Sequence, residues 1–234
     1  MEKKIIFLSD THEQQHNLPE LPEADFLIHC GDATWVGDPG PIAKFGAWMA
    51  SLKQIKHKIF VAGNHDIAFE EQPAIARTLL GPGCIYLQDE LLELDGLRIY
   101  GSPWQPFFCS WAFNIKDPAK RAEKWAMIPQ DLDILITHGP PCGRLDGEKN
   151  TGEQLGCQEL ALRVMEVQPR IHAFGHIHEG YGVREDHNTT YINASIFKNS
   201  IGKLLNSPLI VSYDTESRKI LNIDQIGIGV DRTW

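Results

Sequence analysis

Five short apolar runs along the chain stop abruptly at Asp, Asn or His, and this repeated ending constrains the fold more than any other feature. Lys4–Leu8 leads into Asp10-Thr11-His12 and Asp25–His29 into Gly31-Asp32. Lys58–Ala62 leads into Gly63-Asn64-His65-Asp66, Asp133–Thr137 into His138-Gly139, and Arg170–Phe174 into Gly175-His176-Ile177-His178. Runs of this length, closed by polar or glycine residues, read as buried β-strands. Helix-compatible spacing covers Ile42–Gln54, Pro73–Leu80, Pro118–Ile128 and Gln158–Val167, with Asp117 placed to cap the third of these. Strand–helix–strand alternation requires α/β layers with at least partly parallel sheets. In open sheets of this kind, ligands sit outside the carboxyl ends of the strands.

The C-terminal third changes character. Gly180–Arg184, Thr189–Asn193, Leu209–Tyr213 and Lys219–Ile223 are strand candidates separated by turns, with no helix of note. Cys84–Tyr100 reads as a β-meander with Asp95-Gly96 as its hairpin turn. No repeat or linker interrupts the chain. The expectation is one domain over residues 1–234, an α/β body joined to a second, more antiparallel sheet.

Composition narrows the function classes. With 42% hydrophobic and 23% charged residues the chain is of ordinary globular type. Its apolar runs fall far short of the roughly 20 residues that span a bilayer. Lys3 and Lys4 before Ile5–Leu8 imitate a signal peptide, but the apolar stretch is too short and no cleavage site follows. Cys30, Cys84, Cys109, Cys142 and Cys157 are odd in number and never form a CxxC pair, so reduced thiols and a cytoplasmic location are expected. A net charge of -9 without a basic block disfavours nucleic acid as a partner. An anionic substrate would need bound metal ions to attract it.

Taken singly, the strand endings say little. Asp after a strand is an ordinary turn residue, and Asp10-x-His12 alone would be read as capping. Gly175-His176-x-His178 is stronger, because residues two apart on extended chain point the same way. Two Asp, one Asn and four His at successive strand ends together make a metal-binding constellation.

In order and spacing, Asp10-x-His12, Gly31-Asp32, Gly63-Asn64-His65-Asp66, His138 and Gly175-His176-x-His178 resemble the signature of the calcineurin-like metallophosphoesterases. Thr137-His138-Gly139-Pro140-Pro141 and Gly175–Tyr181 further resemble its metallophosphoesterase-domain-containing branch, which is linked to cyclic-nucleotide (class III) phosphodiester hydrolysis. The resemblance implies a four-layer α/β/β/α sandwich of two mixed β-sheets flanked by helices, with two divalent metals at the carboxyl ends of the strands. It implies that Asp10, His12 and His178 hold one ion, that Asn64, His138 and His176 hold the other, and that Asp32 bridges them. Imidazole and oxygen ligands suit manganese first, with iron, zinc, nickel or cobalt as alternatives. A hydroxide bridging the ions would attack phosphorus. By the same resemblance His65 stabilises developing charge or protonates the leaving oxygen, and Asp66 orients its ring.

Other residues carry weaker expectations. The aromatic segment Gly101–Trp111 could stack a nucleobase through Trp104 or bury its own rings, and Arg144 after the His138 loop could reach a phosphate. His29 and His172 lie within strand patterns and read as core residues, and His16, His57 and His187 as solvated ones. The expected activity is phosphodiester hydrolysis on a small phosphoester or nucleotide. A phosphomonoesterase or protein phosphatase, and a slow-turnover nucleotide-binding protein, are the alternatives. The sequence leaves the oligomeric state open.

Overall fold

Ile5, Ile6, Phe7 and Leu8 are all 0% exposed, so the first strand is covered on both faces, and the rest of the chain supplies the covers. A computed structural model describes residues 1–147, 152–197 and 206–226. The first half comprises β1 (Glu2–Leu8), β2 (Ala24–His29), α1 (Pro39–Ser51), β3 (Ile55–Phe60), α2 (Ala68–Glu71), α3 (Pro73–Leu80), β4 (Ile85–Tyr86), β5 (Glu90–Leu94) and β6 (Leu97–Ser102). It continues with β7 (Gln105–Pro106), β8 (Asn114–Ile115), α4 (Pro118–Ala126), β9 (Ile134–Thr137), α5 (Gln158–Val167) and β10 (Ile171–Phe174). The last strands are β11 (Gly182–Asp186), β12 (Thr189–Asn193), β13 (Leu209–Asp214) and β14 (Lys219–Gln225).

Two six-stranded sheets result, one in the order β14-β13-β1-β2-β3-β4 and the other β11-β12-β10-β9-β6-β5. Their facing surfaces interdigitate through Ile5, Phe7, Phe26, Ile28 and Ile59 on one side and Ile99, Ile134, Ile136, Ile171 and Ile192 on the other. The outer face of the first sheet packs Ile6, Leu8, Leu27 and Phe60 against Ile42, Phe45 and Met49 of α1 and Ala76 and Leu80 of α3. The outer face of the second packs Tyr100, Leu135, Phe174 and Tyr191 against Trp125 of α4 and Leu160, Val164 and Val167 of α5. The fold is the expected α/β/β/α sandwich. Each such Ile, Leu or Phe, fully buried, contributes about 1.5–3 kcal/mol. Among the described residues no helix is long and apolar enough to cross a membrane.

The helices follow local rules. In α1 the buried residues Ile42, Phe45, Gly46 and Met49 recur at helical spacing. It begins three residues before the expected Ile42, because Pro39 and Pro41 suit a first turn whose N–H groups have no intrahelical partners. Asp117 caps α4 by accepting from the Ala119 N–H at 2.9 Å.

Two expectations need correction. The second sheet is no more antiparallel than the first: β6, β9, β10 and β12 are parallel neighbours, and only the edge strands β5 and β11 run antiparallel. After β10 the chain runs out to the edge as β11 and returns as β12 between them, so neighbours in sequence are not neighbours in the sheet. Cys84–Tyr100 is likewise not one meander. Its first strand, β4, pairs with β3, whereas β5 and β6 form a hairpin in the other sheet, turning at Asp95-Gly96. A latch joins the layers where Asp133, entering β9, accepts from the Tyr213 hydroxyl of β13 at 2.7 Å and from Arg218 Nε at 2.8 Å.

Candidate metal centre

The carboxyl ends of β1, β2, β3, β9 and β10 converge at one rim of the sandwich. Their loops are cross-tied through the backbone: Asp10 N–H donates to the Gly31 carbonyl at 2.8 Å, His12 N–H to the Asp32 carbonyl at 3.0 Å and Gly175 N–H to the His138 carbonyl at 2.9 Å. The chain turns sharply after each strand, and Asp10, His12, Asp32 and His176 all sit at positive φ, between 42° and 66°. Such strain at non-glycine residues persists only where the surroundings over-determine it, and it clusters at functional sites. Two motif glycines are explained by close approach. A Cβ on Gly31, at φ 108°, would lie 2.3 Å from His138 Nδ1, and one on Gly175 would lie 2.1 Å from Asp10 Oδ2.

Metal-ligand types form three interlocking triads, Asp10/His12/His178, His12/Asp32/His65 and Asp32/His138/His176, with the ligand atoms of each within 4.8 Å of one another. Asp32 belongs to two of them. Its Oδ2 lies 3.4 Å from His138 Nε2, 3.8 Å from His12 Nε2 and 4.0 Å from His65 Nε2. Asp10 Oδ1 lies 3.3 Å from His178 Nε2, and Asn64 Oδ1 lies 3.0 Å from His138 Nε2. All seven residues expected as ligands are therefore gathered at this rim. The imidazoles are aimed from behind: Nδ1 of His12 donates to the Thr34 carbonyl at 3.2 Å and Nδ1 of His138 to the Cys30 carbonyl at 2.9 Å. That leaves Nε2 of each facing the carboxylates, the usual arrangement behind a ligating histidine.

Asp10 and Asp32 are 0% and 2% exposed, and among the described residues their ionic partners are histidines, with no Lys or Arg. Burial alone would raise both carboxyls. The surrounding histidines together, led by the His178 hydrogen bond for Asp10 and the His138 charge for Asp32, outweigh it and hold each group well below the usual range. Burial would equally lower His138, but Asp32 and Asp10 pull it up to about 9. His176 is pushed down to about 4, first by burial and then by His138. Buried carboxylates balanced by imidazoles suit divalent cations: the donor set is oxygen and nitrogen, and such ions would supply the missing positive charge.

Comparison with known proteins agrees with this geometry. The sequence profile of the calcineurin-like phosphoesterases matches residues 3–180. The chain belongs to that family. It is 40% identical over 235 residues to human metallophosphoesterase domain-containing protein 1, covering 91% of this chain and 71% of that protein. It is 34% identical over 256 residues to UPF0046 protein T07D4.2 of Caenorhabditis elegans, covering 95% of this chain and 64% of that one. In fold it is similar to the crystal structure of TT1561 of Thermus thermophilus, with a TM-score of 0.62, 15% identity, and coverage of 96% and 99% of the two chains. Membership in the family supports a phosphoester hydrolase of a kind that binds divalent metals, and the triads at this rim are its candidate ligands.

Several expectations about this phosphoesterase's outer residues change. Asp66 does not orient the ring of His65. Its buried carboxylate accepts from the N–H groups of Ala33, Thr34 and Gly63 and from the Thr34 hydroxyl, at 2.8–3.2 Å, tying the β2 loop to the β3 loop. Burial and then the charge of Asp32 push it up to about 6. The acceptor for His65 Nδ1 is the Trp35 carbonyl, at 2.7 Å. Trp104 faces elsewhere: its indole N–H donates to Asp89 at 2.8 Å, Lys124 Nζ sits 4.5 Å from the ring centroid, and Phe113 packs edge-on. Arg144 is ion-paired with Asp186 and lies over Tyr191.

The aromatic rings at the rim are others. Trp35 stacks on His12 at 4.3 Å, Trp111 covers His65 at 4.0 Å, and Phe197 meets His12 and His178 edge-on. Trp35, three residues beyond Asp32, carries no periodic signal and is missed in the sequence; its nearness to a strand-end motif is the signal that could have found it. His29 and His172 are core residues, hydrogen-bonded to the hydroxyls of Thr11 and Thr137 at 3.0 and 2.9 Å and pushed down to about 3 by burial. His57 is half-buried and pairs with Asp95 at 3.1 Å, and His16 and His187 are exposed.

Proposed function

We propose that the protein is a cytoplasmic, single-domain phosphodiesterase that uses two divalent metal ions, manganese first, to hydrolyse small nucleotides, cyclic ones among them. The observation that carries this reading is the place of Asp32, whose Oδ2 lies 3.8 Å from His12 Nε2 on one side and 3.4 Å from His138 Nε2 on the other, as a bridging carboxylate would lie. Asp10, His12 and His178 hold one ion, and Asn64, His138 and His176 the other. Divalent ions bound there supply Lewis-acid charge for the phosphoryl oxygens and acidify water for attack on phosphorus. Asp10 and Asp32, ionised, set the charge of the site. His65, anchored through Nδ1, keeps Nε2 toward Asp32 and gives a proton to the departing ester oxygen. Trp111 against the His65 ring limits its rotation and its contact with water.

Preference for diesters follows from charge. A monoester dianion or phosphoprotein gains most from an Arg clamp, and the candidate Arg144 is engaged by Asp186. A diester monoanion needs no clamp beyond the ions. The test is a substrate panel on manganese-loaded protein, with bis-p-nitrophenyl phosphate and 2′,3′- and 3′,5′-cyclic nucleotides set against p-nitrophenyl phosphate. Higher kcat/KM for the diesters is expected. The reverse order would move the assignment to a phosphomonoesterase, and binding without turnover to a nucleotide-binding protein.

A further inference from the structure

An apolar pocket of about 260 Å³ opens directly beside His176, walled by Pro106, Phe107, Phe108, Pro140, Leu155 and Ile177. Among the described residues no Lys, Arg, Asp or Glu lines it. Phe108 meets the His176 ring edge-on, with centroids 5.9 Å apart, so the pocket is continuous with the Asp32/His138/His176 triad. Phe107, Phe108 and Leu155 remain 46%, 54% and 44% exposed, although exposing three large apolar side chains around one opening costs solvation.

The wall is built to stay in place. The Asn114 carboxamide donates to the carbonyls of Phe108, Cys109 and Trp111 and accepts from the Phe108 N–H, at 2.9–3.2 Å. One side chain thus fixes the loop between β7 and β8, which carries Phe108 to one side of the rim and Trp111 to the His65 side. Gln105, 1% exposed in the pocket lining, donates from Nε2 to Asn114 Oδ1 at 3.2 Å, and its Oε1 has no partner among the described residues. A buried acceptor left unpaired is costly.

We propose that this pocket takes the planar, uncharged ring of the ester's alcohol group, aryl or nucleobase, while its phosphate lies at the Asp32/His138/His176 triad. This assignment rests on the phosphoesterase reading above. The volume suits one ring system rather than a second nucleoside, and the apolar walls favour a flat, uncharged ring. The specificity residues are then Phe107, Phe108 and Leu155, not Trp104.

Two product-like ligands that differ only by a ring test the proposal. Calorimetric titration of metal-loaded protein with inorganic phosphate and with phenyl phosphate should show the phenyl ester binding about tenfold more tightly to the wild type. In Phe108→Ala and Leu155→Ala, both at exposed positions and checked for unchanged metal content, that advantage should fall to about twofold or less, with phosphate affinity unchanged. Equal affinity of the two ligands for the wild type, or an advantage retained in both variants, overturns the pocket assignment. A wild type that binds no phosphate speaks instead against the metal-centre reading. Phenyl phosphate in the same titrations then decides the pocket alone: loss of its binding in the variants supports it, and unchanged binding overturns it.

Discussion

His65 donates from Nδ1 to the main-chain carbonyl of Trp35 at 2.7 Å, while the Trp35 indole stacks on His12 with ring centroids 4.3 Å apart. One residue thereby positions a candidate ligand through its ring and the candidate proton donor through its backbone. A side-chain substitution at Trp35 leaves the carbonyl in place, so the two roles separate experimentally from the histidine side.

Replacing His65 by Ala should keep both metal equivalents and lower kcat by about 10²–10⁴-fold. The loss should be smaller for p-nitrophenyl esters, whose leaving group needs little protonation. Elemental analysis alongside kinetics on two leaving groups checks this. An equal loss on all substrates would assign His65 to charge stabilisation, and a loss of metal would make it a ligand.

Asp32 and His178 should behave differently on metal loading. Asp32 lies between His12 and His138, at 3.8 and 3.4 Å, so Asp32→Ala should abolish the dinuclear site, whereas His178, next to Asp10 at 3.3 Å, should cost mainly one ion when changed to Ala. Two equivalents retained by Asp32→Ala would remove its bridging role.

Trp104→Ala should act on stability rather than on substrate. The indole is tied to Asp89 and covered by Lys124, and its ring packs on Phe113. A loss of about 3 kcal/mol in urea unfolding is expected, with kcat/KM of the folded protein little changed. A raised KM for nucleotides with unchanged stability would return Trp104 to the substrate.

Acid sensitivity should carry a contribution from His172. Burial pushes its imidazole from 6.5 down to about 3, so between these values the unfolded chain binds a proton that the folded protein refuses. Its contribution to stability is present above about pH 6.5 and is lost as pH falls, by up to about 1.4 kcal/mol per pH unit. His172→Gln should therefore lose about 2 kcal/mol less than the wild type between about pH 7 and about pH 5. Denaturant titration at the two pH values reads the difference, and parallel losses would show that His172 is not the group responsible.

The parts of the site legible in the sequence are those set by local chain geometry. Asp10, His12, Asp32, Asn64, His138, His176 and His178 each follow an apolar run directly, and a run that ends at a sheet edge fixes where the next residues lie. The outer residues depend on contacts remote in sequence. Arg144 could not be matched to Asp186, nor Asp66 to the N–H groups of Ala33 and Thr34, because no spacing rule joins segments that far apart. The aromatic insert was legible as a unit, but not which of its rings turn inward. Trp104 meets Asp89 and Lys124, while Phe107 and Phe108 are left at the rim. Strand direction failed for a related reason, since the position of β11 outside β12 depends on what pairs with β10, not on the turns between them.

The pairing of β1 with β13 has a consequence for how the protein is made. Glu2 lies opposite Asp214, and the Met1 amino group bonds to Asp214 Oδ1 at 2.8 Å across 213 residues of sequence. During synthesis the first strand emerges long before its antiparallel neighbour exists, and its free edge stays open to the wrong partners until the last strands arrive. Closure over so long a loop makes folding slow, and the rim, which needs strand ends from both sheets, is completed only once they have docked. A nascent chain halted before residue 209 would be a ward of chaperones, not a smaller working enzyme.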